Sequence, residues 1–144
     1  MERRQKTALI LAVAGTAGYF GYRYYTKKNA EKTAKEFVQK WLDTVCKRNS
    51  DHIADLYDGD AVLLGTVAEN LATGKAEIEY YFRQFVEMMP CGEIVDSNVI
   101  INGDTAIVNG NYIFSLVDED GDMSDNPARF TFILRQESSY PVRS

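Results

Sequence analysis

The chain has 144 residues, of which 45% are hydrophobic and 26% are charged, and its formal net charge is -5. This length and apolar content fit one domain with a real core, so disorder throughout the chain is excluded. Residues 1–28 carry a net charge of +5 and the remainder carries -10. Because an acidic body repels phosphate backbones, no nucleic-acid partner is expected.

The N-terminal segment, residues 1–28, is apolar and has basic flanks. Its central stretch ALILAVAGTAGYFGY, residues 8–22, contains no charge. Fifteen residues are fewer than the roughly 20 that cross a bilayer, but interfacial tyrosines and a snorkelling Arg23 extend the usable span. We therefore predict a single-pass membrane anchor over residues 7–25. The alternatives are a cleaved export or organelle-targeting segment and a buried or interfacial helix.

The charges around this segment and the two cysteines bear on localisation. Basic residues after the segment outnumber those before it: Arg23, Lys27, Lys28, Lys32 and Lys35 against Arg3, Arg4 and Lys6. The positive-inside rule then places the domain on the cytoplasmic side. Cys46 and Cys91 match neither a CxxC motif nor zinc-ligand spacing, so we predict two free thiols and no metal site. Free thiols agree with a reducing compartment.

Three helices are predicted after the anchor. From Ala30 to Cys46 the apolar residues recur at i, i+3 and i+4, which indicates an amphipathic helix ending near Arg48. Asn49 to Asp51 supply cap chemistry for a short second helix, which the Asp58-Gly59-Asp60 turn stops. A third helix is predicted from about Lys75 to Met88, with Pro90 closing it.

The second half of the chain predicts strands. Short runs AVLLGT and ENLATG precede the third helix, and EIVDSNVII, TAIVNGNYIFSLV and ARFTFILRQ follow it, separated by NGD and DEDGDMSDNP. The first two of the long runs predict a hairpin. Within residues 105–117 both faces of the strand carry apolar groups. Helices should therefore cover one face of the sheet. Another subunit, or the curling of the sheet on itself, should cover the other face. This order of elements predicts an α+β fold.

Few residues offer chemistry. Asp58 and Asp60 are a conceivable acid/base pair, but a turn role is the simpler interpretation. His52 is the only histidine, so one chain holds no multi-histidine metal site. It is expected on the polar side of the short second helix, where a surface role is a simpler interpretation than a place in a Ser/His/Asp triad. The acidic stretch at residues 118–126 lacks the glycine and glutamate of a calcium loop, having Met123 and Arg129 at those places.

The motifs LYDGDAVLLG, GKAEIEYYF, GDTAIVNGNY and ARFTF together resemble the nuclear transport factor 2-like (SnoaL-like) superfamily. The resemblance is to the group of the calcium/calmodulin-dependent protein kinase II association domain and the SgcJ/EcaC-type proteins, from about Glu31 to Arg135. It implies a cone of helices on a curved antiparallel sheet, an inner pocket, and association through the sheet. It places the domain at residues 29–136. The expected last strand, W-x-x-x-H-H, is absent or altered in the tail, residues 137–144.

The resemblance also implies site residues. Superfamily enzymes use an acid with a tyrosine, which makes Asp58 and Tyr57 catalytic candidates. Aromatic candidates for the inner pocket are Trp41, Tyr57, Tyr81 and Tyr112. Tyr112 and Phe132 stand where kinase association domains place pocket arginines, which argues against an anionic ligand.

We therefore predict a membrane-anchored, non-catalytic domain that forms a homo-dimer or larger homo-oligomer or binds a small apolar ligand, with no cofactor. One alternative is a SnoaL-like isomerase, cyclase or hydrolase. The other is an adaptor that assembles a partner such as a kinase. Whether the protein is an enzyme is left open at this point.

Overall fold

A computed structural model of the protein describes residues 27–65 and 68–135, with side chains from Asn29 onward. The predicted anchor and the C-terminal tail lie outside these ranges. The elements are α1 (Lys27–Cys46), α2 (Ser50–Ala54), β1 (Val62–Leu63), β2 (Ala72–Thr73), α3 (Gly74–Phe85) with a 3-10 turn at Val86–Met88, β3 (Cys91–Asn102), β4 (Thr105–Val117) and β5 (Met123–Arg135).

Helix α1 confirms the predicted apolar stripe. Its inward residues are nearly inaccessible to solvent: Ala34, Val38, Trp41, Leu42 and Val45. The helix packs on β3 and β4. It ends at Cys46, two residues before the predicted end, and Arg48 then takes a left-handed φ of 62°. The stripe therefore supplies one wall of the core.

Helix α2 begins where its cap predicts, and α3 begins at Gly74, one residue before the predicted start. Asn49 Oδ1 accepts a hydrogen bond from the backbone N–H of His52 at 3.1 Å, which caps α2. At α3, Glu77 Oε2 accepts from the backbone N–H of Thr73 at 2.6 Å. Glu77 lies four residues after the N-cap Thr73, one more than in a capping box, and its bond fixes the point at which the chain leaves β2 for the helix.

The main sheet is antiparallel, in the order β3-β4-β5. The β3–β4 hairpin was predicted, and it closes with Asn102 opposite Thr105. An irregularity between Ile94 and Asp96 leaves Val95 as an extra residue in β3. Such a bulge reverses which side chains of a strand face the core. Ile94 packs against the core, and Asp96, two residues later, lies exposed.

Strand β5 begins earlier than its sequence predicts. Pairing starts at Val117 opposite Met123, so the expected ten-residue loop is reduced to a turn at residues 118–122. Asp118 Oδ1 closes this turn by accepting from the backbone N–H groups of Asp120 and Asp122 at 2.9 and 2.8 Å. Pro127 lies within the strand, which is tolerated because β5 is an edge strand of the sheet formed by the described residues.

The prediction of free thiols was wrong. Cys46 at the end of α1 and Cys91 at the start of β3 form a disulfide, with their Cα atoms 4.4 Å apart. The two residues are 45 positions apart in sequence, so only the packing of α1 on β3 brings them together. The thiols accordingly give no support to a reducing compartment.

The core lies between the helices and one face of the sheet. The sheet contributes alternate residues of β4 and β5, namely Ala106, Val108, Tyr112, Phe114, Phe130, Phe132 and Leu134. Helices thus cover one face of β4, as predicted, and the predicted α+β cone with helices on an antiparallel sheet is confirmed. Among the described helices, none is both long and apolar enough to cross a membrane.

Candidate functional site

The catalytic candidates Asp58 and Tyr57 have different surroundings. Asp58 is half-buried, and its Oδ1 accepts from the backbone N–H of Gly59 at 2.9 Å while its carbonyl accepts from the N–H of Ala61 at 3.0 Å. These bonds make it part of the turn between α2 and β1. Tyr57 is 4% exposed, and its hydroxyl accepts from Trp41 Nε1 at 3.0 Å. Trp41 thus occupies one hydrogen-bonding position of that hydroxyl.

The pocket candidates fall into two groups. Trp41, Tyr57 and Tyr112 come together in the core, where the rings of Trp41 and Tyr112 stack with centroids 6.4 Å apart. Tyr81 lies at the side of this cluster, partly buried and stacked on Phe85 at 5.9 Å. A side chain on Gly65 would overlap the Tyr81 ring, so the glycine lets this tyrosine lie flat on the chain.

Aromatic rings fill the space around Trp41. Its neighbours within 6.4 Å between ring centroids are Phe82, Tyr112, Phe114 and Phe132. Among the residues whose side chains are described, no acidic, basic or histidine side chain is buried. In the same part of the chain, no group of three or more His, Cys, Asp or Glu side chains is placed to hold a metal ion. The chemistry available here is apolar contact with tyrosine and indole hydrogen bonding.

The other face of the sheet, which we call the outer face, points away from the helices. It is formed by the side chains that alternate with the core residues of β3, β4 and β5. Near the hairpin end lies an isoleucine row of Ile100, Ile107 and Ile133, one from each strand. Ile100 is 49% exposed although it is large and apolar. Exposed apolar side chains in rows are typical of surfaces that contact another molecule.

A polar band lies beside the isoleucine row. Asn98, Asn109 and Thr131 form its first row, and Thr131 Oγ1 donates to Asn109 Oδ1 at 2.9 Å. Asp96, Asn111 and Arg129 form the second row. The band lines a shallow open groove of about 520 Å³. Because Gly110 has no side chain, the carbonyl of Asp96 and the ring of Phe130 can approach the backbone there.

Sequence alternation predicted that β4 has a second, partly apolar face, but it did not identify Asp96 or Arg129 as its neighbours. Their placement depends on the strand register and on the bulge at Val95. The sequence indicates that bulge only through the apolar residues of EIVDSNVII, which do not alternate regularly with the polar ones.

Comparisons with known proteins agree with this architecture. The family model of the calcium/calmodulin dependent protein kinase II association domain matches residues 30–140. A solved structure from Xanthomonas campestris, assigned to the same domain, is 28% identical with a TM-score of 0.68, covering 85% of this chain and all of that one. No curated protein matches the chain in sequence.

Two further solved structures share the fold at lower identity. The ketosteroid isomerase-like protein of Erwinia carotovora atroseptica is 19% identical with a TM-score of 0.64, covering 81% of this chain and 90% of that one. The CaMKII hub of S. rosetta is also 19% identical, with a TM-score of 0.56 and coverage of 75% and 96%.

Proposed function

Because the chain belongs to the calcium/calmodulin dependent protein kinase II association domain family, we propose that it is a non-catalytic assembly domain. In this proposal, copies of the chain associate through the outer face of the sheet. The fold supports oligomerisation or small-ligand binding in general, and the surface described above favours the first.

The observation that carries this proposal is the composition of the outer face. A row of three isoleucines lies beside a polar band, so the face has the mixture of apolar and hydrogen-bonding groups that protein interfaces use. Ile100 and Val95 are 49% and 56% exposed in the single chain. Covering them with a second copy removes apolar surface from water, which stabilises the assembly.

The surroundings of the catalytic candidates favour assembly over a SnoaL-like isomerase, cyclase or hydrolase. Asp58 is engaged in the turn before β1, and the Tyr57 hydroxyl is engaged by Trp41. An adaptor that also assembles a partner such as a kinase would use the same fold, and its partner would bind outside the self-association surface.

Self-association is tested by changing one residue of the isoleucine row. Ile100→Arg places a charge on the outer face at a half-exposed position, so the fold should survive while association weakens. Leu71→Arg is the matched control, since Leu71 is 54% exposed and lies outside the main sheet. Sedimentation equilibrium of the full chain in mild detergent should show a dimer or larger oligomer for wild type and Leu71→Arg, and mostly monomer for Ile100→Arg.

A wild-type chain that stays monomeric at all concentrations would refute the assembly function. Equal association of Ile100→Arg and wild type would instead refute the outer face as its surface.

We also propose that residues 7–25 hold this domain at a membrane. The support is the uncharged stretch at residues 8–22 with its tyrosines and basic flanks. After a carbonate wash, the full chain should sediment with membranes, whereas a chain starting at residue 29 should stay in the supernatant. A full chain released by the wash would contradict the anchor.

The side of the membrane is the second part of that proposal. The charge bias favours the cytoplasmic side, whereas the Cys46–Cys91 disulfide favours an oxidising compartment, because cytosolic thiols are kept reduced. Cells quenched with acid and then alkylated with a bulky maleimide distinguish the two. An exported domain gives no gel shift unless it is first reduced, and a cytoplasmic domain with reduced cysteines shifts by two labels.

A further inference from the structure

The second row of the polar band carries opposite charges at its two ends. Asp96 of β3, Asn111 of β4 and Arg129 of β5 lie side by side in the sheet register. Asp96 Oδ1 accepts from the backbone N–H and the side-chain amide of Asn111 at 3.1 and 2.8 Å. Two strand spacings, about 10 Å, separate Asp96 from Arg129. No ion pair joins Arg129 to another residue that the structure describes.

The charges on the two edge strands also differ along their lengths. The outward positions of β3 include Glu93 and Asp96 and no base. Those of β5 include Arg129 and Arg135 with one acid, Asp125. The outer face is therefore acidic along one margin and mainly basic along the other.

This asymmetry discriminates between the ways in which two identical faces can pack. A two-fold axis lying between the sheets and perpendicular to the strands would place β3 on β3, so acids would face acids. A two-fold axis parallel to β4 exchanges the edge strands and places β3 of one copy on β5 of the other. Asp96 of each copy then lies in the same row as Arg129 of the other, so one pair of opposite charges meets at each margin, which electrostatics favours. Glu93 lies in the row of Pro127, one row from Asp125, and takes no part in this pairing.

The apolar groups agree with the second arrangement. An axis parallel to the strands preserves position along them, so each row of the face meets the same row of its partner. The row of Ile100, Ile107 and Ile133 then packs on its own copy, and the polar band packs on the polar band. The Asn111 row lies near the middle of β4, where two twisted sheets packed at about -30° remain closest.

We infer that two copies of the chain pack face to face about a two-fold axis parallel to β4, with Asp96 of each copy paired with Arg129 of the other. This inference rests on the proposed self-association and specifies its symmetry. Each dimer contains the ion pair twice, and Asn111 orients each carboxylate from within its own chain.

Complementary charge reversals test the pairing. Asp96→Arg and Arg129→Asp, each alone, place like charges together twice per dimer, so the dissociation constant of each variant should rise about tenfold. An equimolar mixture of the two variants should form a heterodimer with wild-type affinity, since both contacts then join opposite charges. The double variant Asp96→Arg/Arg129→Asp should also recover. Glu119→Arg, an exposed acid in the β4–β5 turn, is the control and should leave association unchanged.

The measurements use the full chain in mild detergent, with fluorescence transfer between differently tagged variants and circular dichroism as a check of folding. Asp96→Asn serves as a milder variant, because it keeps an oxygen to accept from Asn111 while removing the charge. Weakening by the single variants with recovery in the mixture supports the inference. Dimers insensitive to all the charge changes, or weakened without recovery in the mixture, overturn it while leaving self-association intact. Monomeric wild type overturns the proposed function itself.

Discussion

At the residue scale, the bond between Trp41 and Tyr57 lies in the middle of the core. Trp41 is 1% exposed, and its indole N–H donates to the Tyr57 hydroxyl 16 residues further along the chain. A buried donor without an acceptor costs free energy, because it has lost its hydrogen bond to water and gained none within the protein. The pair therefore holds α1 against the segment that follows α2.

Replacing Tyr57 by phenylalanine should lower the free energy of unfolding by about 1–3 kcal/mol, since it leaves the Trp41 N–H unpaired. Tyr80→Phe is the matched control: it removes a hydroxyl that accepts from Gln84 at 3.0 Å, but Tyr80 is 56% exposed. Urea unfolding followed by tryptophan fluorescence measures both. Equal effects of the two substitutions would show that burial of the bond is unimportant.

At the element scale, the disulfide connects the end of α1 to the first residue of β3. Between its two cysteines lie α2, β1, β2 and α3, so one covalent loop encloses the layer of short elements. Closing such a loop removes conformations from the unfolded chain and thereby stabilises the folded one.

Replacing both cysteines by alanine should lower the free energy of unfolding by about 4 kcal/mol, by the chain-entropy estimate for a loop of this length. Dithiothreitol should lower the stability of wild type by a similar amount. The variant that lacks both cysteines is the control, since reductant should not affect its stability. Wild-type unfolding that is insensitive to reductant would contradict a stabilising role of the bond.

The elements that could be predicted from sequence are those with local causes. The stripe in α1, the cap at Asn49 and the alternation in β4 all act within a few residues. The start of β5 at Met123 was missed because residues 123–126 are mostly polar and are held in the sheet by pairing with β4. The disulfide was missed because its cysteines meet only through tertiary packing.

The candidate site, too, was predictable only where its cause is local. Alternation within β4 correctly indicated a second, partly apolar face, and the cover of that face stays a prediction. The neighbours of that face were not predictable, because simple alternation through β3 puts Asp96 in phase with Ile94, whereas the bulge at Val95 turns them to opposite faces. The pocket role of Trp41, Tyr57, Tyr81 and Tyr112 stays a prediction.

At the scale of the whole molecule, association and stability should be linked. If only the folded chain presents the outer face, then binding of a second copy favours folding by mass action. The melting temperature of the full chain in mild detergent should therefore rise with protein concentration, whereas that of Ile100→Arg should not. Scanning calorimetry over a hundredfold concentration range measures this. A wild-type melting temperature independent of concentration would contradict the linkage.

The covalent loop closed by Cys46 and Cys91 also determines what happens when a protease cuts the chain inside it. A protease that cuts one peptide bond between Lys47 and Pro90 releases no fragment, because the bond between the two sulfurs still joins both pieces. The strands of the outer face all lie after the loop, so such a nick leaves each of them continuous. A nicked chain can thus persist as two polypeptides that separate only when the sulfurs are reduced.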